Sequence, residues 1–374
     1  MGFVHNTPKL EIHLGKLEHN ARLEVEILAK YGVTVMGVNK VFNGMPETAQ
    51  AIINGGITTI AEARIANLKK LQHLDCSKCL LRTPTLSEIE DTVRFADLSL
   101  CSDLITIRAL SKEAVRQNKA HQLLLMIDMG DLREGIWFED YTEIVATVRE
   151  AMALPHLSIY GIGTNFSCYG MVIPTIEHLN LFVALVERIE SELKFKFNYL
   201  SGGNCTSYHL IHQGVWNPRI NHLRIGGLHQ FGIEYVDMKY VNGFFHSEKD
   251  CKLALSNLYL LKAEIIQVFT KPTMPFGTLG VDAFLQKKTF VDRGRRKQAL
   301  LSFGKVDIDY RNCAPQDDSI MILGQTSDHT LIDIEEAVYD YKAGEQVIFE
   351  VDYTGLLSLC AQNEIEKNFI QGRS

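Results

Sequence analysis

Between about residue 17 and residue 235 the chain alternates short apolar runs with longer amphipathic stretches, and this rhythm narrows its possible folds more than any other feature. The short runs are VTVMGVNK, ITTIAEA, CLLRTP, DLSLCSD, HQLLLMIDMG, LSIYGIGTNF, FNYLSGGN and HLRIGG. Between them lie stretches such as EDYTEIVATVREAMALP and IEHLNLFVALVERIESELK, with apolar residues near i, i+3, i+4 and i+7, the spacing of a helix with one buried face. Helices that cover a parallel sheet leave its strands apolar on both sides, so eight such runs predict an α/β fold, a closed (β/α)8 barrel of the TIM type. The barrel is expected over residues 1–245, with residues 8–15 a candidate strand of the domain that follows. From about 250 the texture changes to LLKAEIIQVF, KQALLSFGKVDIDY, SIMILGQTSDHTLIDI and EQVIFEVDYTG, short runs broken by polar turns. That pattern predicts a compact β-domain over residues 246–374.

Composition removes several classes of function. A chain of 374 residues with 46% hydrophobic and 22% charged residues can bury a large core. A net charge of -7 and a pI near 6.0 leave no electrostatic footprint for nucleic acid. No run of 18 apolar residues is present, and the start lacks a basic region followed by an apolar run, so neither a membrane partner nor a signal peptide is expected. MGFVHN opens like a myristoylation site but carries Asn6 where Ser or Thr is wanted. The 8 cysteines are scattered; Cys76 and Cys79 form a lone CSKC with no second pair to complete a zinc site. They read as thiols of a reduced, cytoplasmic protein, and no metal is expected.

Polar residues and glycines gather at the C-terminal ends of the predicted strands: Lys40, Arg82, Asp128 to Arg133, Asn165, Ser201 to Asn204, and Arg224. In barrel enzymes the chemistry sits at that rim. Taken singly, Arg82 could equally pair with a nearby carboxylate, and Asn165 could cap a turn. Lys40 is harder to dismiss. A buried, unpaired ammonium is costly, so this lysine must reach solvent, an acid or a carbonyl compound, and a Schiff base to an aldehyde cofactor accounts for it.

The segment MGVNKVFNG resembles the lysine strand of the alanine-racemase-like, fold-type III pyridoxal phosphate enzymes. The resemblance continues in order through IDMGDLREGI, GIGTNFSCYG, SGGN, LRIGG, GKVDID and QTSDHTLIDI, and covers nearly the whole chain. KVFNG, SGGN with LRIGG, and TSDH point to the ornithine racemase-like branch. The resemblance implies that Lys40 holds pyridoxal 5'-phosphate and acts as a base at the substrate α-carbon. It implies that Arg224 faces the pyridine nitrogen and keeps it unprotonated, since a guanidinium does not give up its proton. Gly226 and Gly227, with Asn204, Cys205 and Thr206 of SGGNCTSY, would bring N–H groups to the phosphate, aided by a helix dipole. Asn165 and Tyr353 complete the cofactor set that the resemblance implies. Arg133 would orient the substrate carboxylate or the cofactor phenolate. A head-to-tail homodimer would place a second base, from the partner's β-domain, on the face opposite Lys40.

Departures from the family pattern are as informative. Gly44 stands where a phosphate-holding tyrosine is usual, and Met126 where many relatives carry a carbamylated lysine, so no carbamate is expected. Cys205 replaces the phosphate-contacting serine, which leaves Thr206 or Ser207 to supply a hydroxyl. Asn165 replaces a histidine. Lys305 takes the place of the second-base tyrosine, with Asp307, Tyr310 and Cys313 as rivals nearby. Asp307, Ser327 and Asp328 are candidates to contact the substrate, the acids as receivers of the distal amine of ornithine or lysine. The function expected is racemisation of a free amino acid by removal and return of the α-proton. The alternatives are a decarboxylase or lyase on the same scaffold, against which Arg224 speaks, and a non-catalytic cofactor carrier, against which the β-domain speaks.

Overall fold

The computed structural model describes residues 8–233, 236 and 258–372. They fall into two compact units: Leu14–Leu255, and Ser256–Ser374 together with the stretch up to His13. The boundary expected at residue 245 lies outside the described residues.

The strand β1 (Lys9–His13) belongs to the second unit, and the first unit begins with the helix Leu14–Ala29. Its strands are β2 (Thr34–Val38), β3 (Thr59–Glu62), β4 (Ser77–Leu80), β5 (Leu98–Cys101), β6 (His121–Asp128), the short β7 (Ile136–Trp137), β8 (Leu157–Gly163), β9 (Tyr199–Ser201) and β10 (His222–Ile225). All pairings are parallel, and the circuit from β2 through β5, β6, β8, β9 and β10 closes back on β2, with β7 appended to β6. The eight apolar runs thus supply the eight barrel strands. The barrel interior is filled by Met36, Val38, Ala61, Cys79, Leu98, Leu100, Leu124 and Met126, so it is a packed core rather than a channel. Met126 therefore serves as filling. Outside, Leu123, Leu125, Ile127 and Ile162 meet helical residues such as Ile107, Ile144, Phe182 and Val186. That double burial is why these strands read as continuous apolar runs.

Local signals set the helix ends. Asp103 accepts the Thr106 N–H, and Thr175 accepts the His178 N–H, each filling a donor that the first helical turn leaves free. The helices Tyr141–Ala153 and Ile176–Leu193 lie on the two amphipathic stretches quoted above.

In the second unit, β11 (Tyr259–Pro272) and β12 (Arg295–Leu301) form a long antiparallel pair. The remaining strands are β13 (Cys313–Pro315), β14 (Met321–Gln325), β15 (Thr330–Asp333), β16 (Gln346–Val351) and β17 (Glu366–Ile370). β1 pairs antiparallel with β11 (Leu10 opposite Leu261) and parallel with β17 (Leu10 opposite Lys367), and its residues alternate between half-buried and buried. No helix among the described residues is long and apolar enough to cross a membrane.

Candidate active site

β2 ends at Val38, and the chain turns at once into the short 3-10 turn Lys40–Phe42. Asn39, fully buried, stays at the strand end while Lys40 faces solvent. The Asn39 amide donates to Glu62 Oε1 at 2.9 Å, and Thr48 donates to Asn39 Oδ1 at 3.0 Å. Glu62 is the last residue of β3 and is fully buried; Asn67 donates to its other oxygen at 3.1 Å. Burial pushes the Glu62 carboxyl up to about 7, against the pull of the Asn67 and Asn39 amides, the Lys70 charge and the Gly44 N–H.

Gly44 closes this turn with φ 71°, and a Cβ there would lie 2.6 Å from Asn67 Cβ. The absence of the tyrosine expected at this place thus has a physical reason: any side chain at 44 would be strained in backbone and would collide with Asn67.

On β10, the strand paired with β2, Arg224 is 4% exposed. Its guanidinium donates to Ser201 Oγ, to the Thr164 carbonyl at 2.8 Å and to Asn165 Oδ1 at 3.4 Å. These acceptors are all neutral. Burial lowers the guanidinium to about 10, partly offset by the Glu134 charge, so it keeps its proton at neutral pH. Ser201 Oγ, which accepts from Arg224, is also hydrogen-bonded to His222 Nδ1, 2.9 Å away. Burial, reinforced by Arg224, pushes His222 down to about 3, which leaves it neutral. Asn165 also donates to Asp131 at 3.3 Å and accepts from Asn204 at 3.2 Å. Asp131, 2% exposed, gathers the N–H groups of Cys168, Tyr169 and Gly170 and so holds the loop after β8.

Beside Arg224 lies a cradle of N–H groups. Gly226 and Gly227 direct their N–H groups to Cys205 Sγ at 3.4 and 3.1 Å. Burial raises the Cys205 thiol above its ordinary value, so it is neutral. Thr206 gives its hydroxyl to Asn204 at 2.7 Å, and Ser207 gives its own to the Gly202 carbonyl at 2.7 Å. Both hydroxyls expected at the phosphate are therefore committed to the turn itself, and Cys205 is the side chain that meets the paired N–H groups. The helices that follow, Tyr208–His212 and Gly227–Phe231, have five residues each. Their dipoles are short, so the local N–H groups, more than the helix dipole expected to aid them, are what an anion would meet.

Paired N–H donors met by a weak acceptor, the neutral Cys205 thiol, and a buried cation facing only neutral acceptors fit a phosphate and an unprotonated ring nitrogen, the two ends of pyridoxal 5'-phosphate. Arg82 instead donates to Glu88 at 2.7 and 2.5 Å, the structural one of its two readings. Arg133 is paired with its neighbour Glu134, and its side chain is 41% exposed.

The remaining residues lie in the second unit. GKVDID forms a turn in which Gly304 N–H donates to Asp307 at 2.9 Å, while Lys305 N–H and Val306 N–H donate to the carbonyls of Thr326 and Ser327. Asp307, Ser327 and Asp328 are thus brought together with Lys305. Ser327 donates to Asp328 at 2.5 Å. The Lys305 amine lies 3.9 Å from Asp309 and 4.2 Å from the Phe284 ring centroid. It shares a cleft with Asp309, Tyr310, Arg311, Lys287 and Lys288. Hydrogen bonds from Arg311 pull Asp309 down to about 2. Burial pushes Asp307 up, and pushes the Cys313 thiol up to about 12. Cys313 also donates to the Tyr310 carbonyl. Tyr353 is half-buried at the start of the helix Tyr353–Ala361.

Sequence reasoning missed Glu62, Asn67 and His222, and named Asp131 only within the rim segment Asp128 to Arg133. The polar residue inside IAEA was a usable signal, because a carboxylate in an otherwise apolar strand needs partners.

Residues 12–230 match the family profile "Alanine racemase, N-terminal domain". An ornithine racemase from Acetoanaerobium sticklandii is 34% identical over 363 residues, covering 97% of this chain and 99% of that protein. A lysine racemase from Thermotoga maritima is 34% identical over 362 residues, covering 96% and 98%. Among solved structures, an alanine racemase from Bartonella henselae with covalently bound pyridoxal phosphate superposes with a TM-score of 0.69 at 14% identity, covering 97% of this chain and 99% of that one. With more than half of its length in the family profile and curated relatives matched almost end to end, the chain belongs to the alanine racemase family and is a pyridoxal phosphate-dependent amino-acid racemase.

Proposed function

We propose that the chain interconverts the L- and D-forms of a basic amino acid such as ornithine or lysine, with Lys40 as the cofactor-bearing base. The observation that carries this is Arg224: a buried guanidinium whose acceptors are all neutral, placed where a ring nitrogen would complete them. The names of the two relatives support a basic substrate.

Pyridoxal phosphate, when bound, withdraws electrons from the substrate α-carbon and so acidifies its C–H bond. Arg224 keeps its proton and would therefore leave a ring nitrogen placed against it without one. That moderates the withdrawal and favours proton return over loss of the carboxylate. Gly226, Gly227 and Cys205 would hold the phosphate through N–H groups and a neutral thiol. Asn165 and Asn204 brace the loop beside Arg224. Lys40, on its short turn, takes the α-proton on one face or gives it back. Arg133 turns from Glu134 to receive the substrate carboxylate. The opposite face is served from the second unit of a partner in a head-to-tail homodimer, through the cleft that holds Lys305 and Tyr310. Lys305 there faces Asp309 and an aromatic ring, partners suited to an ammonium, so Tyr310 joins it as the second proton carrier to test. Asp307 and Asp328 are the acids offered to the distal amine. The protein works in the cytoplasm.

Purified protein with pyridoxal phosphate should convert L-ornithine or L-lysine to the D-form faster than L-alanine, read by chiral chromatography. Release of carbon dioxide without formation of the D-form would overturn the proposal.

A further inference from the structure

A single carboxylate ties down both ends of the turn that carries Lys40. Glu62 Oε1 accepts from Asn39, the residue before Lys40, and Oε2 accepts from Asn67. The Gly44 N–H, four residues past Lys40, also donates to this carboxylate. Thr48 anchors the free oxygen of the Asn39 amide at 3.0 Å, and Lys70 donates to the Asn43 carbonyl at 2.7 Å. Asn39 and Glu62 are fully buried, and Asn67 is 5% exposed. A buried carboxylate has acceptor sites for all three N–H donors at once; a glutamine in its place would present an NH2 to one of the two asparagine amides. The glycine at 44 belongs to the same arrangement, since a Cβ there would strike Asn67.

We infer that Glu62 is a positioning residue for Lys40: through Asn39 and Gly44 it fixes the backbone on both sides of the lysine, so that only the side chain's own rotations remain to bring the amine to the cofactor aldehyde. Position 44 has no side chain with which to hold the cofactor. In exchange, its backbone N–H locks the turn. This inference rests on the reading of Lys40 as the cofactor-bearing residue.

The test separates cofactor binding from attachment. Pyridoxine 5'-phosphate has the ring and phosphate but no aldehyde, so its affinity reports the cradle alone. The rate at which pyridoxal phosphate becomes attached to Lys40, trapped with borohydride and located by mass spectrometry, reports the lysine. In Glu62→Gln and Glu62→Ala the affinity for pyridoxine 5'-phosphate should stay within about twofold. The attachment rate should fall on the order of tenfold or more, because small misplacements of a reacting group are expensive in rate. An unchanged attachment rate overturns the inference. So does an equal loss of both measurements, which would mean that Glu62 merely keeps the barrel mouth folded. If neither Glu62 variant folds, Asn67→Ala, which removes one donor and no charge, must show the same selective loss, and an unchanged rate there overturns the inference. Wild-type protein that binds pyridoxine 5'-phosphate but attaches no pyridoxal phosphate at Lys40 would instead remove the reading beneath it.

Discussion

The two units hold their candidate residues in opposite ways. At the barrel rim Arg224, Asn165, Asn39 and Glu62 are buried, and they are bonded in two pairs, Arg224 to Asn165 and Asn39 to Glu62, across different strands and loops of the barrel. In the second unit Ser327 and Asp328 are exposed, and Lys305 and Asp307 are half-buried on a turn whose hydrogen bonds mostly serve the turn itself. Buried polar groups must be satisfied inside the protein, so the barrel rim is already organised before anything binds. The second unit's side chains keep water as a partner and have little to hold them until another surface arrives. Under the proposed function, the contrast is that of a preformed site and a contribution that needs a partner.

The largest effect expected is at the preformed side. Lys40→Ala should abolish the visible absorbance of the lysine-linked cofactor and lower kcat by about a thousandfold or more, as for removal of a covalent catalyst. A variant that keeps a borohydride-reducible adduct would break the contrast at its root.

Next comes the mixing experiment that tests the contribution from a partner. Lys40→Ala combined with Tyr310→Phe, or with Lys305→Ala, should regain activity once subunit exchange is verified by tagged pull-down. Random exchange leaves about a quarter of the sites with both groups intact in a two-fold dimer. Whichever second-unit variant complements Lys40→Ala identifies the second proton carrier. No recovery with either, together with a monomeric mass, would mean that the exposed cleft does not complete a neighbour's site.

Arg224→Glu exchanges the buried guanidinium for a group that lets the ring nitrogen protonate. Racemisation should fall, on the order of a hundredfold, and transamination should rise as a fraction of turnovers. Unchanged product ratios would show that Arg224 does not touch the ring.

A smaller effect follows from Glu62. Its folded-state value of about 7 lies above the ordinary 4.5, so the native state binds the proton more tightly than the unfolded chain. The stability this confers is present in full below about pH 4.5 and is lost as pH rises through about 7; the span corresponds to about 3 kcal/mol. Urea unfolding should therefore find Glu62→Gln gaining stability relative to wild type between pH 5 and pH 8. A flat difference would place the carboxyl outside the buried network. The smallest effect belongs to the exposed side: Asp328→Asn should leave the melting temperature unchanged, as surface substitutions usually do. It should raise KM for ornithine while sparing a substrate without a distal amine.

The legible part of the site followed from chemistry that a strand advertises. A lysine ending VTVMGVNK, an arginine within HLRI and glycine pairs after strands are visible because each breaks an apolar run near the rim. What stayed hidden depended on partners distant in the chain. Thr206 and Ser207 looked as good as Cys205 for the phosphate, and only the folded turn shows their hydroxyls spent on Asn204 and Gly202.

Sequence by itself determined the eight-stranded barrel and the β-domain after it, because burial on two faces and burial on one leave different periodicities. It also determined the family, through the order of its motifs. Tertiary structure decided which polar residues act together. Asn39, Glu62 and Asn67 meet at the end of two adjacent strands, Ser201 joins Arg224 to His222, and β1 pairs with strands about 250 and 355 positions later. Such meetings are governed by strand register and barrel closure, which place residues by their neighbours across the sheet rather than along the chain.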